Sequence, residues 1–139
     1  MRKKLKNFYQ SLVTIPETLY PFSIKSKVGV LHGQKAYAKR LTFYRSRLGP
    51  GHIGYRLFLY RQFFHFLGSI LFIISATLIS KSLFGSRVAL YILLIIAVCA
   101  ISYQEFYLHP RLYKQLWTKS VGDWLSWIVP IGLYIFMIL

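Results

Sequence analysis

Three carboxylates, Glu17, Glu105 and Asp123, are the only acidic side chains in 139 residues. Acid–base or nucleophilic catalysis needs such groups paired, or placed beside a base, at one site. Glu17 and Asp123 stand most of a chain length apart and read as local caps or surface groups, so no catalytic carboxylate pair is expected. The four histidines, at 32, 52, 65 and 109, are isolated in sequence. His109 follows Glu105 by one helical turn, but two ligands fall short of a metal site. Cys99, the single cysteine, allows no internal disulfide and no thiolate cluster, and among Ala, Val and Ile it reads as a small packing residue. The glycines from Gly49 to Gly54 lack phosphate-loop spacing, and no serine stands in a nucleophile elbow. The expectation is a non-enzymatic chain with no catalytic residue, cofactor, metal or small-molecule substrate.

Two constellations remain. The first is polar: Arg61, His65, Gln104 and Glu105 flank two long apolar runs. If those runs pair as a hairpin with its loop near residue 84, positions summing to about 169 share a depth, and His65 faces Gln104 or Glu105. Ionisable groups within a span mark proton or ion pathways, or else form a structural clasp near the interface. A single cluster without a continuing polar chain favours the clasp. On the first helix His65, Gly68, Ser69, Phe72, Ser75, Ala76 and Ser80 form one face, and on the second Leu93, Ala97, Ala100 and Gln104 do. Small residues there permit close approach.

The second constellation is basic. There are 18 Lys and Arg, and between Glu17 and Glu105 eleven cations occur with no acid. Their counter-anions must come from outside, from lipid headgroups, an acidic partner or nucleic acid. Lys35, Lys39, Arg40, Arg45, Arg47 and Arg56 are the candidate lipid or partner contacts. Interleaved with Tyr37, Phe43 and Tyr44, the same cations could serve phosphates and base stacking. Beside membrane spans, a lipid interface is favoured over nucleic acid.

The elements that position these residues follow from composition. Hydrophobic residues make up 55% and charged ones 15%, too apolar for a water-soluble domain of this size. Residues 1–54 form a basic, amphipathic N-terminal segment. Within it, residues 7–23 predict a short helix stopped near Pro16 or Pro21, and residues 28–33 a turn or extended piece. Residues 34–48 predict a helix, because Tyr37, Leu41, Tyr44 and Leu48 recur along one side while Lys35, Lys39, Thr42 and Ser46 occupy the other. The Arg2-Lys3-Lys4 start resembles that of a signal peptide or a mitochondrial presequence. No apolar run or small-residue cleavage site follows, so cleavage is not expected.

Residues 55–108 predict a transmembrane helical hairpin. Residues 63–80 and 88–104 carry no formal charge, and residues 81–87 make a tight connection between them. Residues 109–120 read as interfacial, with Pro110 ending or kinking the second helix. Trp117, Trp124 and Trp127 are the expected interfacial aromatic belt. Residues 121–139 predict a third span, about 28 Å long, with Asp123 as its N-cap and Pro130 as a kink.

The fold class is therefore all-α and integral to a membrane, a hairpin plus a third C-terminal span. Thirteen cations precede the end of the first span's entry and three lie between the second and third, against two at the connecting loop. The positive-inside rule places the N-terminus inside, in a bacterial cytoplasmic or organellar inner membrane. The leading expectation is an accessory, scaffold or assembly subunit among other membrane-protein subunits, its basic segment on anionic headgroups or an acidic partner. A membrane-tethered nucleic-acid or ribosome contact comes next, a small ion or proton conductor third, and a lipid-modifying enzyme last, since no catalytic constellation is visible.

Overall fold

A computed structural model describes residue 11, residues 14–27 and residues 29–138. Arg2, Lys3, Lys4 and Lys6, and part of the helix expected over residues 7–23, lie outside the described residues. The chain divides into two compact units, Met1–Gly49 and Pro50–Leu139.

In the first unit residues 14–18 are helical and include Pro16, so the stop comes at the turn that follows rather than at that proline. The all-α expectation needs one addition. Strand β1 (Ile24–Ser26) pairs antiparallel with β2 (Gly29–Leu31), with Lys25 opposite Val30. Such a ribbon is marginal alone. Beside it the Tyr20 ring meets Phe22 and Tyr37 edge-to-face, at 5.4 and 5.5 Å, and Tyr20, Ala36 and Tyr37 are buried.

Helix α1 spans Gly33–Leu48. Its stripe is as the periodicity predicts for Tyr37, Leu41 and Tyr44, which are buried or half-buried, whereas Leu48 at the last turn is exposed. The Gly49 N–H closes the helix on the Arg45 carbonyl at 3.0 Å. Arg45 and Arg47 in the last turn suit the negative end of the helix dipole.

The second unit contains three helices long and apolar enough to cross a membrane: α2 (Tyr55–Phe84), α3 (Arg87–Tyr113) and α4 (Trp117–Ile138). At 1.5 Å per residue they run roughly 45, 40 and 33 Å, each at least the thickness of a hydrocarbon core. The expected connection over residues 81–87 contracts to Gly85 and Ser86. Helix α2 continues through a wide π turn, Ser80–Phe84, and its Ser80 hydroxyl donates to the Ser86 carbonyl at 2.6 Å. Gly85 then takes a left-handed φ of 58°, and Ser86 caps α3 by accepting from the Val88 N–H.

Pro110 does not end α3. A proline cannot donate to the carbonyl four residues back. Here the helix widens just upstream, over Gln104–Leu108, and the His109 N–H bonds five residues back to Gln104. The helix resumes over His109–Tyr113 and stops at Lys114, which adopts φ 51°. The Lys114 carbonyl lies against Gly51, whose own φ is +88°, and any Cβ at Gly51 would collide with it. Residues 109–120 are thus mostly helical, and the third long helix begins four residues earlier than expected.

The core is shared by all three helices. Ile73 and Ala76 of α2, Leu90 and Leu94 of α3 and Ile131 of α4 form its buried centre, with Phe72, Leu93, Val98 and Tyr134 packed around it. Along most of its length α2 packs on α4. Gly68 admits the Trp127 ring, with its nearest atom 3.1 Å from where a Cβ would be, and Gly122 admits the Phe58 ring. The Ser69 hydroxyl donates to the Trp127 carbonyl at 2.8 Å. The predicted α2 face is largely correct, since Ser69, Ala76 and Ser80 are buried, although Ser75 is exposed. The predicted α3 face is half right: Leu93 packs against the core and Ala97 is half-buried, but Ala100 and Gln104 are exposed while Leu90 and Leu94 point inward. Cys99 lies half a turn from that Leu pair and is exposed, so it is no packing residue.

Between helices surrounded by lipid, association rests on close packing and hydrogen bonds rather than on water release. A methyl at Gly122 must displace the Phe58 ring, whereas one at Gly132 meets nothing within 4 Å. Gly122→Ala is therefore expected to destabilise the detergent-solubilised protein by about 1–3 kcal/mol. Gly132→Ala should match the wild type, as read by thermal unfolding of both variants side by side.

Candidate functional site: a buried polar network between the helices

Asp123 lies one and a half turns into α4, so it does not cap that helix; the first turn instead closes on the Leu116 carbonyl, which accepts from Lys119 and Ser120 at 3.0 Å. The carboxylate is fully buried, and the surrounding residues account for both of its oxygens. Oδ1 accepts from Gln62 Nε2 of α2 at 2.5 Å and stands 3.6 Å from His65 Nδ1. Oδ2 accepts from Lys119 Nζ, one turn earlier on α4, at 2.5 Å. The His65 contact is too long for a hydrogen bond, and it becomes an ion pair only when the imidazole is protonated.

The network continues through Gln115, in the short link between α3 and α4. Its Oε1 accepts from Lys119 Nζ at 2.6 Å. Its Nε2 faces Glu105 Oε2 at 2.8 Å, Ser120 Oγ at 3.1 Å and Asp123 Oδ2 at 3.4 Å. Two amide protons can satisfy two of these three at once, which leaves the group free to alternate. Glu105 is 2% exposed, and its Oε2 also meets His109 Nδ1 at 3.1 Å. On the other side the Ser126 hydroxyl approaches Gln62 Oε1 and the Gly122 carbonyl. The polar chain thus runs from α3 through the link and α4 to α2.

The sequence-derived cluster is therefore redistributed. His65 and Glu105 do not pair: the nearest carboxylate to His65 is Asp123, and Glu105 is held by His109 and Gln115. The reason is that α4, and not α3, covers the polar part of α2. Arg61 stays within electrostatic reach of His65, Lys119 and Asp123. Gln104 is exposed and outside the network. Gln62, Gln115, Lys119, Ser120, Asp123 and Ser126 are the members that sequence reasoning missed. The available signal was the spacing Lys119, Asp123, Ser126, Pro130, Tyr134, a continuous inward stripe on a helix that otherwise reads as uniformly apolar.

The three tryptophans divide. Trp117 is exposed at the start of α4. Trp124 and Trp127 are half-buried between helices: Trp124 Nε1 donates to Ser102 Oγ at 2.9 Å, and Trp127 fills the gap at Gly68. Phe106 packs on both Trp117 and Trp124, with centroids 4.9 and 5.8 Å apart. Trp124 and Trp127 therefore join helices, and Trp117 alone of the three is exposed. The expected basic contacts Lys35, Lys39, Arg45, Arg47 and Arg56 are exposed, and Arg40 is half-buried.

Chemically, the arrangement balances formal charge. Two cations, Arg61 and Lys119, offset two carboxylates, Glu105 and Asp123. Such a site holds helices together, and its continuous hydrogen bonds could also pass a proton. Among the described residues no three His, Cys, Asp or Glu side chains gather as a metal site. No protein-family model, curated protein or solved structure matches the chain.

A buried ion pair is sensitive to losing one partner and tolerant of losing both. Asp123→Ala should strand the Lys119 ammonium and cost about 3–5 kcal/mol. The double substitution Lys119→Met with Asp123→Leu should recover most of that loss. Unfolding titrations of both variants in mixed micelles check this, and equal stability of the two would show that the pair is not coupled.

Proposed function

We propose that the chain is a small multi-pass membrane protein with its N-terminus inside, acting as a non-catalytic accessory, scaffold or assembly subunit. Its cationic N-terminal unit would dock on anions supplied by lipid or by an acidic partner. The observation that supports this reading is how charge is sorted. In Pro50–Leu139 both carboxylates are buried in the polar network, while Arg56, Lys81, Arg87, Arg111 and Lys114 are all exposed. With its own acids used internally, the protein meets its surroundings as a cation. Residues such as Leu71, Leu78, Ile95 and Phe136 leave apolar surface that lipid or neighbouring subunits would cover.

The topology follows from the same charges. Reporter fusions placed at Gly85 and after Leu139 should both read as external. A native pull-down from solubilised membranes should recover other membrane proteins in fixed proportion. Recovery of RNA or ribosomes instead would favour a membrane-tethered nucleic-acid contact.

A proton relay is the second reading, and the continuity of hydrogen bonds from Glu105 to Gln62 favours it. Relay and clasp separate on Glu105→Gln. As a clasp, Glu105→Gln keeps an acceptor for Gln115 and costs less stability than Glu105→Ala, with no change in proton leak across proteoliposomes. As a relay it leaves stability intact and abolishes a measurable proton flux.

A further inference from the structure

The exposed side of α1 carries a feature that lipid, unlike an acidic protein or RNA, would use in full. Lys39, Phe43 and Arg47 recur at i, i+4 and i+8 and so form one stripe. Phe43 is 47% exposed although it is a large aromatic, and the Arg47 guanidinium lies over its ring at 4.5 Å from the centroid. Stacked there, the guanidinium is covered on one face while its edge N–H groups remain available to a phosphate in bidentate fashion. Lys39 supplies a second point charge one turn away. The only acid among the described residues of this unit, Glu17, accepts from Gln34 at 3.4 Å.

Further apolar side chains of the same unit are exposed: Leu19, Phe22, Val30 and Leu48. An aromatic wedge flanked by cations fits the boundary between headgroups and acyl chains, where charge and apolar surface are satisfied together. An acidic peptide would answer the cations and leave Phe43 in water. Arg47 covers one face of the Phe43 ring, which leaves a stacking base only the other. Only residues 49–54 separate α1 from the first long helix, a tether of about 20 Å at most.

Resting on the reading of the N-terminal unit as a cationic docking element, we propose that the Lys39–Phe43–Arg47 stripe is a binding surface for the phosphate headgroups of an anionic membrane. Lys39 and Arg47 would engage phosphate oxygens, and the Phe43 ring would insert among the upper acyl carbons.

The test uses the full chain with Cys99→Ser, reconstituted into vesicles of phosphatidylcholine alone or with about one-third phosphatidylglycerol. Single cysteines at Ser46 (beside the stripe) or Ala38 (on the far side of α1) carry an environment-sensitive fluorophore, and the vesicles contain a lipid bearing a headgroup quencher. In anionic vesicles, quenching at Ser46 should exceed that at Ala38 by about twofold or more and should collapse at high salt. It should fall to the level of Ala38 in the Lys39→Gln/Arg47→Gln double variant, whose substitutions are on exposed positions. Equal salt-sensitive quenching at both sites would overturn the stripe while leaving lipid docking of the unit in place. Absence of quenching at either site would overturn both, and would direct the search to an acidic partner. Equal quenching in phosphatidylcholine vesicles, whose phosphates are balanced by choline, would overturn the requirement for an anionic surface.

Discussion

The second unit depends on the burial of one carboxylate. A charge without water is tolerated only when its lone pairs are matched by nearby donors and an opposite charge. Asp123 obtains these from two helices at once: Lys119 from its own helix and Gln62 from α2. Gln115 adds the chain entering α4 and, through Glu105, the end of α3. Satisfying this group therefore fixes the mutual rotation of the helices. A shift of any one by a few ångströms would strand a charged or amide group in an apolar surrounding. Apolar packing alone specifies less, because lipid tails are as good a solvent for Leu and Ile as a neighbouring helix is.

The irregularities of the long helices follow from this constraint. Glu105, within the wide turn over Gln104–Leu108, continues the line of Leu90 and Leu94 at helical period and meets Gln115. Pro110 supplies the reason for widening there, since its missing N–H breaks the ordinary ladder. Gly51 then accommodates the Lys114 carbonyl at the point where the chain leaves α3. At the opposite end, polar contacts between helices thin to isolated bonds, such as that between the Thr77 and Tyr134 hydroxyls at 2.7 Å, and the apolar cluster takes over.

How much of this was legible in the sequence differs by level. The three long helices were readable, because apolar runs of this length have few alternatives. So was the α1 stripe, whose Tyr37, Leu41 and Tyr44 follow helical period. The inward face of α3 was only half so. Small residues suggested Ala97 and Ala100, yet larger Leu90 and Leu94 point inward, because Gly68 and Gly122 already provide the close approach, toward α4. The polar site was half legible. His65, Arg61 and Glu105 stood out as ionisable groups beside apolar runs, but their partners depended on which helix covers α2. Adjacency in sequence suggested the hairpin neighbour. The covering helix is the third one, and Asp123 looked like an N-cap only because α4 was read as starting four residues late. The β1–β2 ribbon was hardest to foresee, since three-residue strands carry too short a pattern to separate from a turn.

Charge burial and charge display in this chain are complementary. If Glu105 and Asp123 faced outward, they would neutralise part of the cationic surface around them. Drawn inward, they offset Arg61 and Lys119, which could not otherwise remain in an apolar bundle. In the same unit Arg56, Lys81, Arg87, Arg111 and Lys114 are exposed, with no acid exposed beside them. The same sorting that makes the bundle self-consistent therefore leaves the exterior positive. Under the proposed scaffold reading, packing would hold the bundle together inside and electrostatics would hold it to its surroundings. The cations and carboxylates of the buried network already match one another, so a transported ion would have to displace a resident one.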